Sequence, residues 1–221
     1  MTWFDKIKSP RIKEQAAADR DSKIPEGLWR KCDDCREVSY SKDIDQLGGI
    51  CPSCGYHFRI SARRRIELLV DAHSFEEHDA QLTSKDPLHF RDSKRYRDRL
   101  KQATKSAGMP SAILCGSARL FDQAVEIGAL EFAFMGGSMA SVVGEKVTRT
   151  IERALDRLAP LILISSSGGA RMQEGALSLM QMAKTTSAIA RLGRERLPFI
   201  SILTNPTTGG VTASYAILGD V

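Results

Sequence analysis

Aromatic residues, histidines and long apolar runs are all scarce in this 221-residue sequence. Aromatic residues make up 6% of it, which is little for the stacking platform of a protein that binds single-stranded nucleic acid. No apolar run approaches the roughly 20 residues that a membrane-spanning helix needs. Residues 1–15 alternate charged and apolar side chains and lack the apolar centre of a secretory signal. The sequence therefore predicts a cytoplasmic protein without a membrane span.

The positive charge is concentrated in one stretch of the chain. The formal net charge is +5, and residues 91–105 hold seven basic residues against two acidic ones, which accounts for the whole excess. Two interpretations stay open. The stretch is either a solvated helix face or a surface that binds a polyanion such as RNA, DNA or the phosphates of a CoA-type ligand.

Four of the five cysteines form two pairs with metal-ligand spacing. Two residues separate Cys32 from Cys35 and Cys51 from Cys54, and fifteen residues lie between the pairs. This is the pattern of a four-thiolate zinc ribbon. Four protein ligands leave no position for water, so the predicted zinc is structural rather than catalytic. The cytoplasm keeps thiols reduced, which favours zinc over disulfides. Cys115 stands alone in an apolar segment and is interpreted as a packing residue.

Composition divides the chain into four predicted segments. Residues 26–60 carry the cysteine pattern but too little apolar mass to fold unaided, so a metal must supply their core. In the next segment Ser61 can cap a first helix, and Asp92 or Ser93 can cap a second that ends near Gly108. The segments are a flexible N-terminal tail at residues 1–25, the zinc ribbon at 26–60, a helical connector at 61–110 and an α/β core at 111–221 that is apparently truncated at its C-terminus.

Three times in the core, a short apolar run meets a pair of glycines and is followed by an amphipathic helix. Such alternation predicts a largely parallel sheet or spiral with right-handed crossovers. The runs are residues 129–135, 161–165 and 199–203; the glycine pairs are Gly136 and Gly137, Gly168 and Gly169, and Gly209 and Gly210; the helix faces are marked by Val143, Val147 and Ile151, by Leu177, Met180, Ala183 and Ile189, and by Ala213 and Ile217.

The glycine pairs predict anion sites at one end of the sheet. A helix that starts after a strand leaves its first backbone N–H groups without intrahelical partners, and glycine lets an oxygen approach them closely. None of the turns has a P-loop or dinucleotide-binding pattern, so an oxyanion fits better than a nucleotide phosphate. Ser138, within GGSMA, comes near a nucleophile elbow, but all four histidines precede it, whereas an α/β-hydrolase places its histidine last. Backbone donors are therefore the simpler interpretation.

Five segments carry a resemblance together with the four paired cysteines. They are residues 24–29 (IPEGLW), 90–94 (FRDSK), 131–139 (EFAFMGGSM), 167–174 (SGGARMQE) and 206–211 (PTTGGV). In these residues the sequence closely resembles the beta subunits of bacterial and plastid acetyl-CoA carboxylase carboxyltransferases. The resemblance extends from near the N-terminus to Asp220.

The resemblance implies a fold, an activity and a set of partners. The fold would be a ClpP/crotonase-like ββα superhelix. The activity would be carboxyl transfer from carboxybiotin on a carrier protein to acetyl-CoA, giving malonyl-CoA for fatty acid synthesis. The partners would be a carboxyltransferase alpha subunit in an alpha2beta2 heterotetramer, biotin carboxyl carrier protein and biotin carboxylase. The cofactors would be one structural zinc per chain and biotin carried on a partner.

Such a reaction needs donors for two oxyanions, the ureido oxygen of biotin and the enolate of the thioester. We assign the backbone N–H groups of Gly209 and Gly210 to one of them. The second predicted site holds the thioester oxygen or orients CoA, and consists of Gly168, Gly169, Ala170 and Arg171. The other oxyanion hole would come from the alpha subunit, as the resemblance implies.

Two questions stay open at this point. Gly136, Gly137 and Ser138 either line the CoA channel or only allow the following helix to pack closely. A nucleic-acid-binding module is the alternative of another class, because Arg59 and three further arginines at residues 63–65 follow the ribbon. The scarcity of aromatic residues argues against that alternative.

Overall fold

The computed structural model describes residues 27–221, and the tail predicted at residues 1–25 lies outside them. The chain divides into two compact units, one ending at Phe58 and one spanning Arg59–Val221. The strands are β1 (Trp29–Lys31), β2 (Val38–Tyr40), β3 (Glu76–His78), β4 (Ile113–Leu120), β5 (Gln123–Leu130), β6 (Leu161–Ser167) and β7 (Phe199–Thr207). The α-helices are α1 (Ser41–Gln46), α2 (Ala62–Leu69), α3 (Tyr96–Ala107), α4 (Ser141–Arg157), α5 (Ala176–Arg194) and α6 (Gly209–Thr212).

The first unit is a two-stranded antiparallel ribbon followed by one short helix. Trp29 of β1 pairs with Tyr40 of β2, and α1 follows directly. The buried apolar side chains of residues 27–58 are Cys32, Ile44 and Cys51. Three such residues cannot form a hydrophobic core of ordinary size.

The second unit is built on a five-stranded sheet of order β3-β4-β5-β6-β7. The strands β5, β6 and β7 run parallel, as predicted, but β3, β4 and β5 are antiparallel. The hairpin between β4 and β5 turns at Phe121 and Asp122, which both have positive φ. Their N–H groups donate to the Asp71 carboxylate at 3.0 and 2.8 Å. The turn therefore depends on a residue about fifty positions away and lacks the glycine that usually marks such hairpins.

The strand predicted at residues 129–135 has the wrong bounds. Strand β5 ends at Leu130, although residues 131–135 continue the apolar run. The reason is Glu131, whose carboxylate accepts hydrogen bonds from the Ala133 N–H at 3.0 Å and from the Ala62 N–H at 2.8 Å. The chain then turns into a 3-10 helix at Met135–Gly137.

The connector helices begin and end partly as predicted. Ser61 caps α2 by accepting from the Arg64 N–H at 3.2 Å, and α3 ends at Gly108 in the left-handed conformation with φ of 67°. The predicted cap of α3 is wrong, because the helix starts at Tyr96 without a side-chain cap. Asp92 instead accepts from the Lys94 N–H and pairs with Arg99.

Two long helices, α4 and α5, pack against each other, and α4 covers the sheet at β4, β5 and β6. Helix α4 buries Val143, Val147 and Ile151, the predicted face. Helices α4 and α5 approach each other closely at Gly144, where an added Cβ would lie 2.3 Å from Oε1 of Gln181 in α5. None of the helices within residues 27–221 has the length and apolarity that would let it cross a membrane.

Candidate active site and metal centre

The thiol sulfurs of the four predicted zinc ligands, Cys32, Cys35, Cys51 and Cys54, lie within 4.8 Å of one another. The Sγ atoms of Cys32 and Cys54 are 3.7 Å apart, and those of Cys35 and Cys51 are 3.8 Å apart. Four sulfurs bound tetrahedrally at about 2.3 Å from zinc are separated by about 3.8 Å. The cysteine group therefore suits a zinc site, as predicted. The described cysteines form no disulfides.

Two equivalent backbone turns present these sulfurs. The Arg36 N–H donates to the Cys32 carbonyl at 3.1 Å, and the Gly55 N–H donates to the Cys51 carbonyl at 3.0 Å. Arg36 and Gly55 both have positive φ, at 63° and 76°. Glycine adopts that conformation readily, so the first turn, which uses arginine, is the more strained of the two.

The thiols do not all ionise readily without a cation. The Cys54 N–H is the main cause that lowers the pKa of Cys51 to about 7. At Cys54 the N–H of Tyr56 favours the thiolate, but burial and the neighbouring thiols together raise the pKa to about 12. Four thiolates at this spacing repel one another, and a divalent cation supplies the charge that stabilises them together.

In the second unit, the three glycine turns lie against one another. The Gly168 N–H donates to the Gly136 carbonyl at 2.9 Å, and an added Cβ on Gly137 would lie 2.0 Å from the Ser166 carbonyl oxygen. The second and third turns meet at Gly169 and Gly209, where an added Cβ on the first would lie 3.3 Å from Cα of the second. The first and third turns, which lie 73 residues apart in sequence from Gly136 to Gly209, thus belong to one continuous backbone surface.

The backbone N–H groups of these turns are of two kinds. Those of Gly168 and Gly169 are used inside the fold, the first by the Gly136 carbonyl and the second by Oγ of Ser167 at 3.0 Å. Those of Ala170, Gly209 and Gly210 have no hydrogen-bond acceptor within residues 27–221. The predicted donor role of Gly168 and Gly169 is therefore not supported, and Ala170 supplies the free N–H of the second turn.

The structure gives no support to the predicted substrate-binding role of Arg171, because its guanidinium is buried. The side chain is fully buried. Its Nε donates to Ser138 Oγ at 3.0 Å and its Nη2 to the Ser138 carbonyl at 2.9 Å, while Nη1 contacts Ser84 Oγ at 3.2 Å and Tyr96 Oη at 3.1 Å. Arg171 therefore ties the second glycine turn to the first and is not available to an exposed ligand.

Glu174 is the acidic partner in this buried network. Its Oε1 accepts from Tyr96 Oη at 2.7 Å, and its Oε2 accepts from the N–H of Ser141 at 2.7 Å and from the Ser141 hydroxyl. Ser141 is the first residue of α4, so the carboxylate sits where the helix dipole favours negative charge. Burial raises the pKa of Tyr96, which stays a neutral donor.

The arrangement at Ser138 does not support the hydrolase interpretation. The Ser138 hydroxyl donates to the Met135 carbonyl at 2.8 Å and accepts from Arg171. Neither partner is a general base, because a carbonyl does not take a proton and arginine stays charged in proteins. These hydrogen bonds hold the Ser138 side chain within the first turn.

The apolar face predicted for α5 is wrong at three of its four residues: Leu177, Met180 and Ala183 are exposed, whereas Ile189 packs against the core. The buried residues of this helix are Ser178, Thr185, Ala188 and Leu192. Exposed apolar side chains instead run along the helix and its preceding turn: Met172 is 81%, Leu177 41%, Leu179 53% and Met180 61% exposed. Exposed apolar side chains that lie together mark a surface for another protein.

Sequence reasoning missed Tyr96 and undervalued Glu174. Tyr96 lies 78 positions from Glu174 along the chain, and no local pattern connects them. The only signal was the spacing of Arg171 and Glu174, three residues apart, which brings opposite charges together in a helical turn. That signal does not say whether the pair faces solvent or core.

Comparisons with known proteins agree on one family. Residues 59–220 match the family described as Carboxyl transferase domain. The whole chain is 54% identical to the acetyl-coenzyme A carboxylase carboxyl transferase subunit beta of Citrifermentans bemidjiense, and 49% identical to the subunit of that name from Pelobacter propionicus. It covers 77% of each relative.

Solved structures show the same fold. Transcarboxylase 12S, with methylmalonyl-coenzyme A and methylmalonic acid bound, matches 81% of this chain with a TM-score of 0.61 and 27% identity. This chain spans about a third of that one, at 31%. A single-chain, multi-domain long-chain acyl-CoA carboxylase matches 74% of this chain with a TM-score of 0.60 and 24% identity, over 16% of its own length.

Proposed function

Because this chain belongs to the family of acetyl-CoA carboxylase carboxyltransferase beta subunits, we propose that its contacting glycine turns form the donor site of the carboxyltransferase half-reaction. In that reaction a carboxyl group moves from carboxybiotin on a carrier protein to acetyl-CoA, and malonyl-CoA is the product. Identity to two such subunits over the whole chain confirms the predicted family and activity. The α/β carboxyl transferase fold with crotonase-like neighbours is confirmed as well.

The observation that carries the proposed site is the presence of three free backbone N–H groups on contacting turns. Those of Gly209, Gly210 and Ala170 have no acceptor within the described residues. An added Cβ on Gly210 would lie 3.5 Å from the Ala170 nitrogen, so the N–H groups of Gly210 and Ala170 lie close together. Fixed N–H groups stabilise an oxygen that becomes negative in the transition state, and each contributes about 2.7 to 4 kcal/mol.

The chain's own residues then have distinct tasks. When acetyl-CoA loses an α-proton, charge collects on its thioester oxygen, and the N–H groups of Gly209 and Gly210 donate to such an oxygen. Carboxybiotin supplies the carboxyl group and a basic ureido oxygen when its carrier is bound. The buried pair Arg171 and Glu174 fixes the turns without touching substrate, as their burial and full hydrogen bonding indicate. The zinc ion would hold the ribbon through its four cysteines and take no part in the chemistry.

The partner that fits the exposed face of α5 is the carboxyltransferase alpha subunit. Helix α5, which carries the exposed apolar side chains Leu177, Leu179 and Met180, also reaches the third glycine turn, because an added Cβ on Gly210 would lie 3.3 Å from Sδ of Met182. A subunit docked on this helix would therefore lie near the donor site. A complementary fold there could supply the second oxyanion hole. We extend the proposal to an alpha2beta2 assembly that works with biotin carboxyl carrier protein and biotin carboxylase in the cytoplasm.

The test of this function is reconstitution with the alpha subunit. The purified chain, the alpha subunit and biotin carboxyl carrier protein are mixed with malonyl-CoA, and carboxybiotin formation is measured. We expect product only when both subunits are present, because the site needs donors from each. The control replaces Leu179 and Met180 with serine, which should weaken assembly and leave the zinc content unchanged.

A different outcome would favour the nucleic-acid module. If the mixture forms no carboxybiotin, while the chain binds RNA with an affinity that falls steeply as salt rises, the carboxyltransferase assignment fails for this chain. Neither the family match nor the relatives favour that alternative.

A further inference from the structure

The side chain of Met182 lies beside the donor site of the proposed function. An added Cβ on Gly210 would lie 3.1 Å from Cβ of Ala170, 3.5 Å from the Ala170 nitrogen and 3.3 Å from Sδ of Met182. Outside its own turn, these are its three nearest atoms. A carbon–carbon bond adds about 1.5 Å, so the Met182 sulfur lies within about 5 Å of the Gly210 Cα. Met182 therefore borders two of the residues whose N–H groups the proposed function uses.

The face of α5 that carries Met182 is its inner face. Ser178, Met182 and Thr185 follow one another at intervals of four and three residues, so they lie on one side of the helix. Ser178 and Thr185 are buried. Met180, which points to the other side, is 61% exposed. The Met182 side chain therefore extends toward the sheet and its glycine turns and away from the exposed apolar face.

One helical turn before Met182, a buried serine fixes α5 to the second glycine turn. The Ser178 hydroxyl accepts from the Arg171 N–H at 2.8 Å and donates to the Met139 carbonyl at 2.5 Å. The Met139 carbonyl also accepts from the Arg171 N–H at 2.8 Å. Helix α5 cannot shift here without breaking these bonds. The fold thus sets the backbone position from which the Met182 side chain reaches the donors.

The Met182 side chain is half buried. It packs against the main hydrophobic core of this unit, and the turn beside it reaches the surface, since Gly209 is exposed and Gly210 is half buried. A thioether has no N–H or O–H to donate, so Met182 adds no donor for an oxyanion. Its sulfur and methyl group instead give the site an apolar wall.

The acyl group of the substrate comes close to this wall. An oxygen that accepts from a backbone N–H lies about 3 Å from the nitrogen. The α-carbon of the thioester is two bonds from that oxygen, and a substituent on the α-carbon is three bonds away. The shared fold does not exclude such a substituent, because transcarboxylase 12S has methylmalonyl-coenzyme A bound. Any limit on the acyl group must therefore come from side chains at the site.

We propose that Met182 determines which acyl group this enzyme accepts. Its thioether occupies the space beside the donors that a substituent on the α-carbon would need, so the site takes malonyl-CoA and acetyl-CoA and excludes their α-methyl homologues. The inference rests on the proposed function and adds a specificity-determining residue to it. The neighbouring Ala170 contributes only a methyl group to the same space, so truncation of Met182 opens that space most.

Truncation of Met182 tests the proposal in the complex with the alpha subunit and biotin carboxyl carrier protein. Malonyl-CoA and methylmalonyl-CoA are supplied in turn, and carboxybiotin formation gives kcat/KM for each. In both reactions the carboxyl group moves to biotin and the α-carbon takes the proton that biotin loses, so only the acyl group differs. We expect Met182→Ala to raise the ratio of kcat/KM for methylmalonyl-CoA to that for malonyl-CoA about tenfold or more, because one methylene group in an apolar site changes selectivity about 10 to 200-fold.

Three further variants separate selectivity from a general loss of packing. Ile189→Ala removes an apolar side chain two turns further along the same helix, which also packs against the core, and should lower the Tm without changing the ratio. Met182→Leu conserves the side-chain volume and should keep the ratio. Met182→Val is a smaller truncation that should raise the ratio by a smaller factor, and it replaces the alanine variant if that variant does not fold.

Three results would overturn the role of Met182: an unaltered complex that uses both thioesters equally well, an unchanged ratio in the truncated Met182 variants, or an equal rise in Ile189→Ala. Loss of both activities in folded Met182 variants would also overturn it, because the residue would then support the turn and not select the acyl group. An unchanged ratio with retained malonyl-CoA turnover leaves the proposed function standing. An unaltered complex that is inactive with both thioesters refutes the proposed function, and this inference with it.

Discussion

The two compact units of this chain are stabilised by different means. Residues 27–58 bury three apolar side chains and bring four thiols to the spacing of a zinc tetrahedron. The unit Arg59–Val221 has two clusters of buried apolar residues and a buried Arg171–Glu174 pair that joins distant parts of the chain. The ribbon thus depends on one ion and local turns, whereas the core depends on burial. Damage to one unit should therefore spare the other.

Removing a zinc ligand is the strongest test of this difference. We expect Cys51→Ser to lose the metal and to unfold residues 27–58, because a structural zinc contributes about 10 to 16 kcal/mol to such a module. Zinc content and amide hydrogen exchange measure the two effects. The control Cys115→Ala should keep its zinc, since Cys115 lies in β4 of the core. Protection of ribbon amides in the zinc-free variant would refute the comparison.

Breaking the buried pair should damage the core alone. Glu174→Ala leaves the Arg171 guanidinium buried without its carboxylate, which we expect to cost about 3 to 5 kcal/mol of unfolding free energy. Urea denaturation measures this loss, and zinc content should not change. The control is Glu152→Ala, because the exposed pair of Glu152 with Arg191 contributes at most about 1 kcal/mol. Equal midpoints for the two variants would show that the network does not hold the core.

A side chain placed in the donor site should stop catalysis and have little effect on the stability of either compact unit. An added Cβ on Gly210 would lie 3.1 Å from Cβ of Ala170 and 3.3 Å from Sδ of Met182. We expect Gly210→Val to reduce kcat about 100 to 1,000-fold in the complex with the alpha subunit. Gly193→Ala is the matched control, because an added Cβ there meets nothing within 4 Å. Turnover retained in Gly210→Val would remove the donor assignment.

The smallest expected difference between the two units is in the reactivity of their cysteine thiols. Burial raises the pKa of Cys115 to about 11, so at pH 8 only about one thiol in a thousand is ionised. We expect chelation of zinc at pH 8 to unfold the ribbon and to separate the crowded thiols that raise the pKa of Cys54. Iodoacetamide should then label the four ribbon cysteines and not Cys115, which stays buried in the folded core, as mass spectrometry would show. Labelling of Cys115 should rise with pH toward 11 and become complete in denaturant. Equal labelling of all five under native conditions would contradict the separation.

Local patterns predicted the ribbon well because its fold is local. The ligand spacing of each cysteine pair acts within one turn, and the Ser61 cap acts over three residues. The segment boundaries at residues 26–60, 61–110 and 111–221 stay predictions.

The site of the core was harder to predict because its decisive contacts are distant in sequence. The direction of Arg171 depends on Tyr96 and Ser84, 75 and 87 positions away. The end of β5 depends on a hydrogen bond that the Ala62 N–H donates to the Glu131 carboxylate, 69 positions away. Glycine spacing located the turns but did not show which N–H groups were already in use.

The contact between Gly169 and Gly209 restricts how the sequence can evolve at these two positions. Each Cα lies within 3.3 Å of the position that a side chain on the other residue would occupy, and both residues have positive φ. A side chain introduced at either position would therefore crowd the backbone of the other residue. A single substitution at the second position would not remove this clash. The two positions should stay glycine together, or change only along with the backbone that joins their loops.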